Sequence, residues 1–178
     1  MLARLGIGKL DLLYVHAPWE GIPMEQYILG LNDAVSAGLA DRIGVSNFTL
    51  EQLRQAIRIS RCPISADQVH YNLIERSVAT GRFLRFCREE GIAVVAYRPL
   101  ERRLLTDASR QPLLAELAEK YAKTPAQIAL AWLIGQEAVV PIPKASLRRH
   151  IDENLGALDV VLQAGDRLLL DAVVFQNG

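Results

Sequence analysis

Arg42-Ile43-Gly44-Val45-Ser46-Asn47-Phe48-Thr49-Leu50-Glu51-Gln52 joins two local patterns within eleven residues. The first part is a short apolar run without polar alternation, the pattern of a strand buried on both faces of a parallel sheet. The second part opens a helix. Thr49 can accept a hydrogen bond from the backbone N–H of Gln52, and the Gln52 side chain can reach back to Thr49, as in a capping box. Between the two stand Ser46 and Asn47, polar residues at the end of a strand that is otherwise apolar. Either would also serve as a helix cap.

The same unit recurs along the chain. Val-, Ile- and Leu-rich runs at 11–16, 42–46, 66–69, 93–97 and 138–142 predict strands. Amphipathic stretches at about 24–37, 50–58, 77–90, 113–121 and 125–136 predict helices between and after them. Thr124-Pro125-Ala126-Gln127 repeats the capping box, with Pro125 at the first helical position, where a missing N–H costs nothing. Gly38 and Gly91 are placed to end helices shortly before the next strand. No linker, repeat or composition shift divides the chain, so a single domain over 1–178 is expected. Repeated βα units require parallel strands with helical crossovers. The fold class is α/β, either an open doubly wound sheet or a (β/α) barrel.

The polar residues favour the barrel. Each run delivers a hydrogen-bonding residue at or near its end: His16, Ser46 with Asn47, Asp67 with Gln68, Tyr97, and Lys144. In a parallel barrel the C-terminal strand ends converge on one face, where the active site is assembled. An open sheet concentrates its ligands at a switch point instead, and no GxGxxG lies between a strand and a helix.

Composition narrows the function classes. The chain has 178 residues, 51% of them hydrophobic, and 20 Lys+Arg balance 20 Asp+Glu. So apolar a chain can bury a core, which excludes disorder. The balanced charge gives no reason to expect nucleic acid or an anionic membrane as partner. Cys62 and Cys87 make no disulfide framework and no zinc-ligand spacing, so a reducing compartment and no metal are expected. With no leader pattern at the N-terminus and no long apolar run, the expectation is a soluble, cytoplasmic protein.

These strand ends resemble the aldo-keto reductases. Leu12-Leu13-Tyr14-Val15-His16-Ala17-Pro18 is similar to the family's fourth strand with its active-site His, and Ile43 to Phe48 to the fifth, whose Ser-Asn pair holds the nicotinamide carboxamide. Asp67-Gln68-Val69-His70-Tyr71-Asn72 resembles the sixth, where the Gln also contacts the carboxamide. Val94-Val95-Ala96-Tyr97-Arg98-Pro99-Leu100 resembles the seventh, whose Tyr stacks on the nicotinamide ring. Pro141-Ile142-Pro143-Lys144 with Glu153-Asn154-Leu155 resembles the eighth and its adenosine-phosphate clamp. The resemblance implies part of a (β/α)8 TIM barrel, strands four to eight, and hydride transfer from NADPH, with NADH as the alternative, to a small aldehyde or ketone. His16 would be the catalytic position. Ser46, Asn47, Gln68, Tyr97, Lys144, Arg149, Glu153 and Asn154 would hold the cofactor, and Trp19 would lie on a substrate loop.

The pattern departs from the family at definite places. The family's catalytic Tyr, Lys and Asp lie in its first three strands, and this chain begins at what resembles the helix before strand four. The expectation is therefore a barrel lacking its N-terminal third, inactive if these residues are the whole protein. A barrel of this type needs about 250 residues. Ala145 stands where Ser is common, His150 where Arg is common, and Glu101-Arg102-Arg103 where the family often has Gly near the pyrophosphate. The alternative reading is a non-catalytic partial barrel, a remnant or a nucleotide-binding subunit. Five strands cannot close the barrel, so self-association through its two open edges is expected.

Overall fold

In the computed structural model, which describes residues 2–175, five parallel strands lie in the order of the sequence, β1-β2-β3-β4-β5. They are β1 (Leu10–Tyr14), β2 (Ala40–Ser46), β3 (Ile64–His70), β4 (Ala93–Tyr97) and β5 (Val139–Pro141). Sequential neighbours joined by helices are the arrangement that repeated βα units dictate. This is the α/β, partial-barrel architecture expected from the sequence. The chain divides into two compact units: one runs to Val69 and adds Thr80–Val94, and the other combines His70–Ala79 with the chain from Val95 onward. Strand β4 contributes to both.

In the first unit, α1 (Leu2–Leu5), α2 (Met24–Ser36), α3 (Leu50–Ile59) and α4 (Gly81–Glu89) accompany β1 to β3 and the start of β4. The core holds Ile28, Ile43, Val45, Phe48, Leu53 and Phe83, none of them exposed. Thr49 caps α3 with the reciprocal bonds of the capping box: Gln52 N–H donates to Thr49 Oγ1 at 3.3 Å, and Thr49 N–H donates to Gln52 Oε1 at 2.9 Å. Gly38 and Gly91 take φ of 70° and 68° just before β2 and β4, a conformation glycine adopts without a Cβ clash. Helix α4 is shorter than the 77–90 stretch, because Thr80 supplies its cap through Phe83 N–H.

In the second unit, α5 (Pro112–Lys120), α6 (Pro125–Ile134), α7 (Arg148–Leu155) and α8 (Ala164–Ala172) join β4 and β5. Helix α6 buries Ala126 and every residue from Ile128 to Leu133, as a helix apolar all round must. Trp132 anchors this unit. Its Nε1 donates to Asp171 Oδ1 at 2.7 Å, and the Arg76 guanidinium lies 4.9 Å from its ring centroid. Arg76 also donates to the carbonyls of Leu170 and Asp171, both at 2.8 Å. No helix among the described residues is long and apolar enough to cross a membrane.

One buried group stands apart. Asp67, wholly buried in the first unit, has neither carboxylate oxygen hydrogen-bonded. Burial pushes its carboxyl up from 3.8 to about 7, against a smaller lowering by the Phe48 backbone amide nearby. The Cys87 thiol is pushed up to about 12, by burial first and by the Asp67 charge second. Because the folded carboxyl binds its proton more tightly than the unfolded one, this group's contribution to stability is greatest below pH 4. It falls as the pH rises through 7, by roughly 4 kcal/mol at most. Asp67→Asn should therefore be more stable than wild type at pH 8 and lose most of this dependence. Urea unfolding of both proteins at pH 5 and pH 8 checks this, and parallel pH dependences would refute it.

Candidate functional site

In the first unit the strand register brings three of the expected residues together. Tyr14 pairs with Gly44, and Ser46 pairs with Gln68 across parallel ladders. Register partners share a face and residues two apart on a strand share it too, so Gly44, Ser46 and Gln68 point the same way as Tyr14. Strand β1 ends at Tyr14, two residues short of the expected end, but its ladder continues: Val15 N–H donates to the Gly44 carbonyl at 3.2 Å. Alternation then assigns His16 to that same face, where it is exposed. His16, Ser46 and Gln68 thus stand at the C-terminal ends of three adjacent strands.

Their hydrogen bonds show what capacity remains. Ser46 Oγ donates to the Gln68 carbonyl at 2.7 Å and accepts from Asn47 Nδ2 at 3.1 Å. A hydroxyl has two acceptor lone pairs, so one remains. Asn47 Nδ2 also donates to the His16 carbonyl at 3.3 Å, which ties the loop after β1 to the end of β2. Helix capping falls to Thr49, so Ser46 and Asn47 belong to the strand end rather than to the helix start. The half-buried Gln68 side-chain amide makes no hydrogen bond among the described residues. Trp19, on the loop between β1 and α2, is 57% exposed.

The second unit holds the remaining residues. Tyr97 ends β4 and stacks on His70, ring centroids 5.1 Å apart and planes 12° from parallel. Lys144 follows β5 and is exposed. Helix α7 carries Arg149, Glu153 and Asn154. Arg148, at its start, is bonded to Asp152 at 2.8 and 3.0 Å. His150 lies 3.4 Å from Glu153 Oε2, and Gln127 Nε2 donates to the Glu153 carbonyl at 2.9 Å. With Arg148 occupied, Arg149 and Lys144 are the exposed cations beside the start of α7, where free backbone N–H groups also favour an anion. Among the described residues no cluster has the makings of a metal site.

The model of the aldo/keto reductase family matches residues 1–174. The chain belongs to that family. It is 40% identical to a thermostable aldo-keto reductase crystallised with the inhibitor epalrestat, covering 96% of this chain and 62% of that one with a TM-score of 0.91. It is 31% identical to an aldo-keto reductase from Klebsiella pneumoniae crystallised with NADPH, covering 96% and 60% with a TM-score of 0.83. It is 29% identical to the methylglyoxal reductase DkgB of Escherichia coli O157:H7 over 97% of this chain and 63% of that protein. The chain thus spans about three fifths of the length of these family members.

Reading the sequence missed three side chains of this aldo-keto reductase segment. His70, Asn72 and Glu101 form a hydrogen-bonded cluster behind Tyr97. The signal available was a His and an Asn two residues apart at the end of a strand, but their shared partner lies about thirty residues on.

Asn47 offers a direct check on the strand end. Its φ of 61° is left-handed, a region open to Gly and tolerated by Asn. Asn47→Gly should keep the turn, while Asn47→Val should lose about 2 kcal/mol relative to it. Urea midpoints of the two variants test this, and equal midpoints would show that the backbone is not constrained there.

Proposed function

We propose that this chain supplies the cofactor-binding part, and the substrate-orienting His16, of an NADP(H)-dependent reductase of small aldehydes or ketones. The supporting observation is the Gln68 amide: half-buried, unpartnered, and on the same face as Ser46, whose hydroxyl keeps one acceptor site. A carboxamide fits that pair, since it can both donate to Ser46 and exchange bonds with Gln68. Asn47 fixes the end of β2 beside them. Tyr97 would stack on the nicotinamide ring. Lys144 and Arg149 would take the 2′-phosphate, with Glu153 and Asn154 on the adenosine side. That preference for NADP over NAD follows from two exposed cations near a helix N-terminus.

Bound nicotinamide supplies the hydride. His16 would donate a hydrogen bond to the substrate carbonyl and stabilise charge developing on its oxygen. Trp19, exposed on the neighbouring loop, would flank the substrate. On the family resemblance the catalytic Tyr, Lys and Asp would not be among residues 1–178, and the proton for the alkoxide would come from groups outside them. Methylglyoxal, the substrate in the name of the Escherichia coli relative, is the natural first test compound. The unpaired Cys62 and Cys87 suit a reducing, cytoplasmic setting.

We also propose self-association through the sheet edges. At β5, the last strand in the sheet order, Val140 is 51% exposed, an apolar edge position of the kind that invites pairing.

NADPH fluorescence titration and an NADPH-oxidation assay on methylglyoxal test the reading on the 178-residue chain. Binding without robust turnover is expected. Gln68→Leu should weaken NADPH binding about tenfold, and Lys144→Met should weaken NADPH more than NADH. Robust turnover would overturn the account of the proton donor. No detectable binding would favour a non-catalytic partial barrel.

A further inference from the structure

The His70 cluster has no part in the roles above. His70 Nε2 lies 2.5 Å from Glu101 Oε2. An ionised carboxylate only accepts, so Nε2 carries the hydrogen. Asn72, wholly buried, donates from Nδ2 to the same Glu101 oxygen and to the Arg98 carbonyl, each at 2.9 Å. Its Oδ1 accepts from the backbone N–H groups of Ile74 and Glu75, both at 2.8 Å. Every polar atom of the Asn72 side chain is therefore used. The His70 and Glu101 side chains are only 24% and 13% exposed, so their bond is shielded from competing water.

The cluster constrains two things at once. The imidazole cannot rotate without breaking its bond to Glu101, and it lies flat against the Tyr97 ring. The turn after Tyr97 is unusual: Arg98, Glu101, Arg102 and Arg103 have φ of 50°, 39°, 49° and 83°. Each of these non-glycine residues pays a steric cost in that region. Glu101, through His70, fastens this turn back to the end of β3, beside the Asn72 bond to the Arg98 carbonyl.

We propose that His70 and Glu101 are positioning residues: a hydrogen-bonded backing that sets the plane of the Tyr97 ring, against which a flat cofactor ring stacks. A planar ligand would then use the face of Tyr97 opposite His70. The proposal rests on the reading of Tyr97 as the nicotinamide-stacking residue. It assigns the cluster to the nicotinamide end of the cofactor and to nothing at the adenosine end.

The test compares NADPH with 2′-phospho-ADP-ribose, which lacks nicotinamide, on the 178-residue chain. Glu101→Ala and His70→Ala should weaken NADPH about tenfold. 2′-Phospho-ADP-ribose should be unchanged by His70→Ala and weakened less than NADPH by Glu101→Ala, whose turn would border the pyrophosphate. Glu101→Gln should bind NADPH within about twofold of wild type, because its Oε1 still accepts from His70. Equal loss of both ligands in the two alanine variants would mean that the cluster only holds the fold, and would overturn the proposal. So would variants that bind NADPH as wild type does, or more tightly. Failure of the wild type to bind NADPH would instead overturn the cofactor reading, and this proposal with it.

Discussion

One extra residue in β3 decides which side chains face the candidate site. Ile43 pairs with Ile64, but Gly44 pairs with Ala66, so Ser65 is a bulge in β3. Without it, Ser46 would stand opposite Asp67, and Gln68 would face the helices. With it, Ser46 meets Gln68, and Asp67 is turned to the other side, into the core beside Cys87. A one-residue slip inverts every side chain of a strand, so the bulge exchanges an amide for a carboxylate at the site. Gly44 sits at the same step. A Cβ there would come 2.5 Å from the Tyr14 ring and 3.1 Å from the Ala66 carbonyl. Only glycine lets Tyr14 lean across β2 while β3 closes up on the other side.

The second unit orders its strand end differently. Ser46 and Asn47 are held by bonds within and beside their own strand. Tyr97 is held by a ring from the end of β3, and that ring is held by a carboxylate beyond β4. The turn from Arg98 to Arg103 contains no glycine, yet it is left-handed at four positions. Its local backbone bonds, Glu101 N–H to the Arg98 carbonyl and Arg103 N–H to the Leu100 carbonyl, are joined by tertiary bonds from His70 and Asn72, surroundings of the kind that let strained backbone persist.

That contrast explains what the sequence made legible. The strands were marked by local apolar runs and stand within two residues of them, and both capping boxes rest on interactions within a few residues: Thr49 to Gln52 and Thr124 to Gln127 close as expected. The candidate residues on strand ends stood out because each interrupts an apolar run. Ser65 was not recognisable as a bulge, since a polar residue in a short strand reads equally well as an exposed position. Strand β3 accordingly begins at Ile64, two residues before the apolar run that announced it. The His70 cluster was illegible because its meaning depends on Glu101, in a loop whose conformation no local signal encodes. Helices α7 and α8 begin without a side-chain cap, so no capping residue marks their starts.

Asp67 and Gln68 show how two adjacent unpartnered groups differ in kind. Both lack hydrogen bonds among the described residues. Gln68 is half-buried, so water can satisfy its amide in the absence of a ligand, and a ligand need only replace that water. Asp67 is wholly buried, and it responds by holding its proton up to about pH 7. On the proposed function, the first is a group kept ready for a partner. The second is the by-product of the bulge that put the first in place. An unpartnered polar atom can therefore serve a ligand only where it is partly exposed, and that criterion favours Gln68 over its more conspicuous neighbour as the candidate.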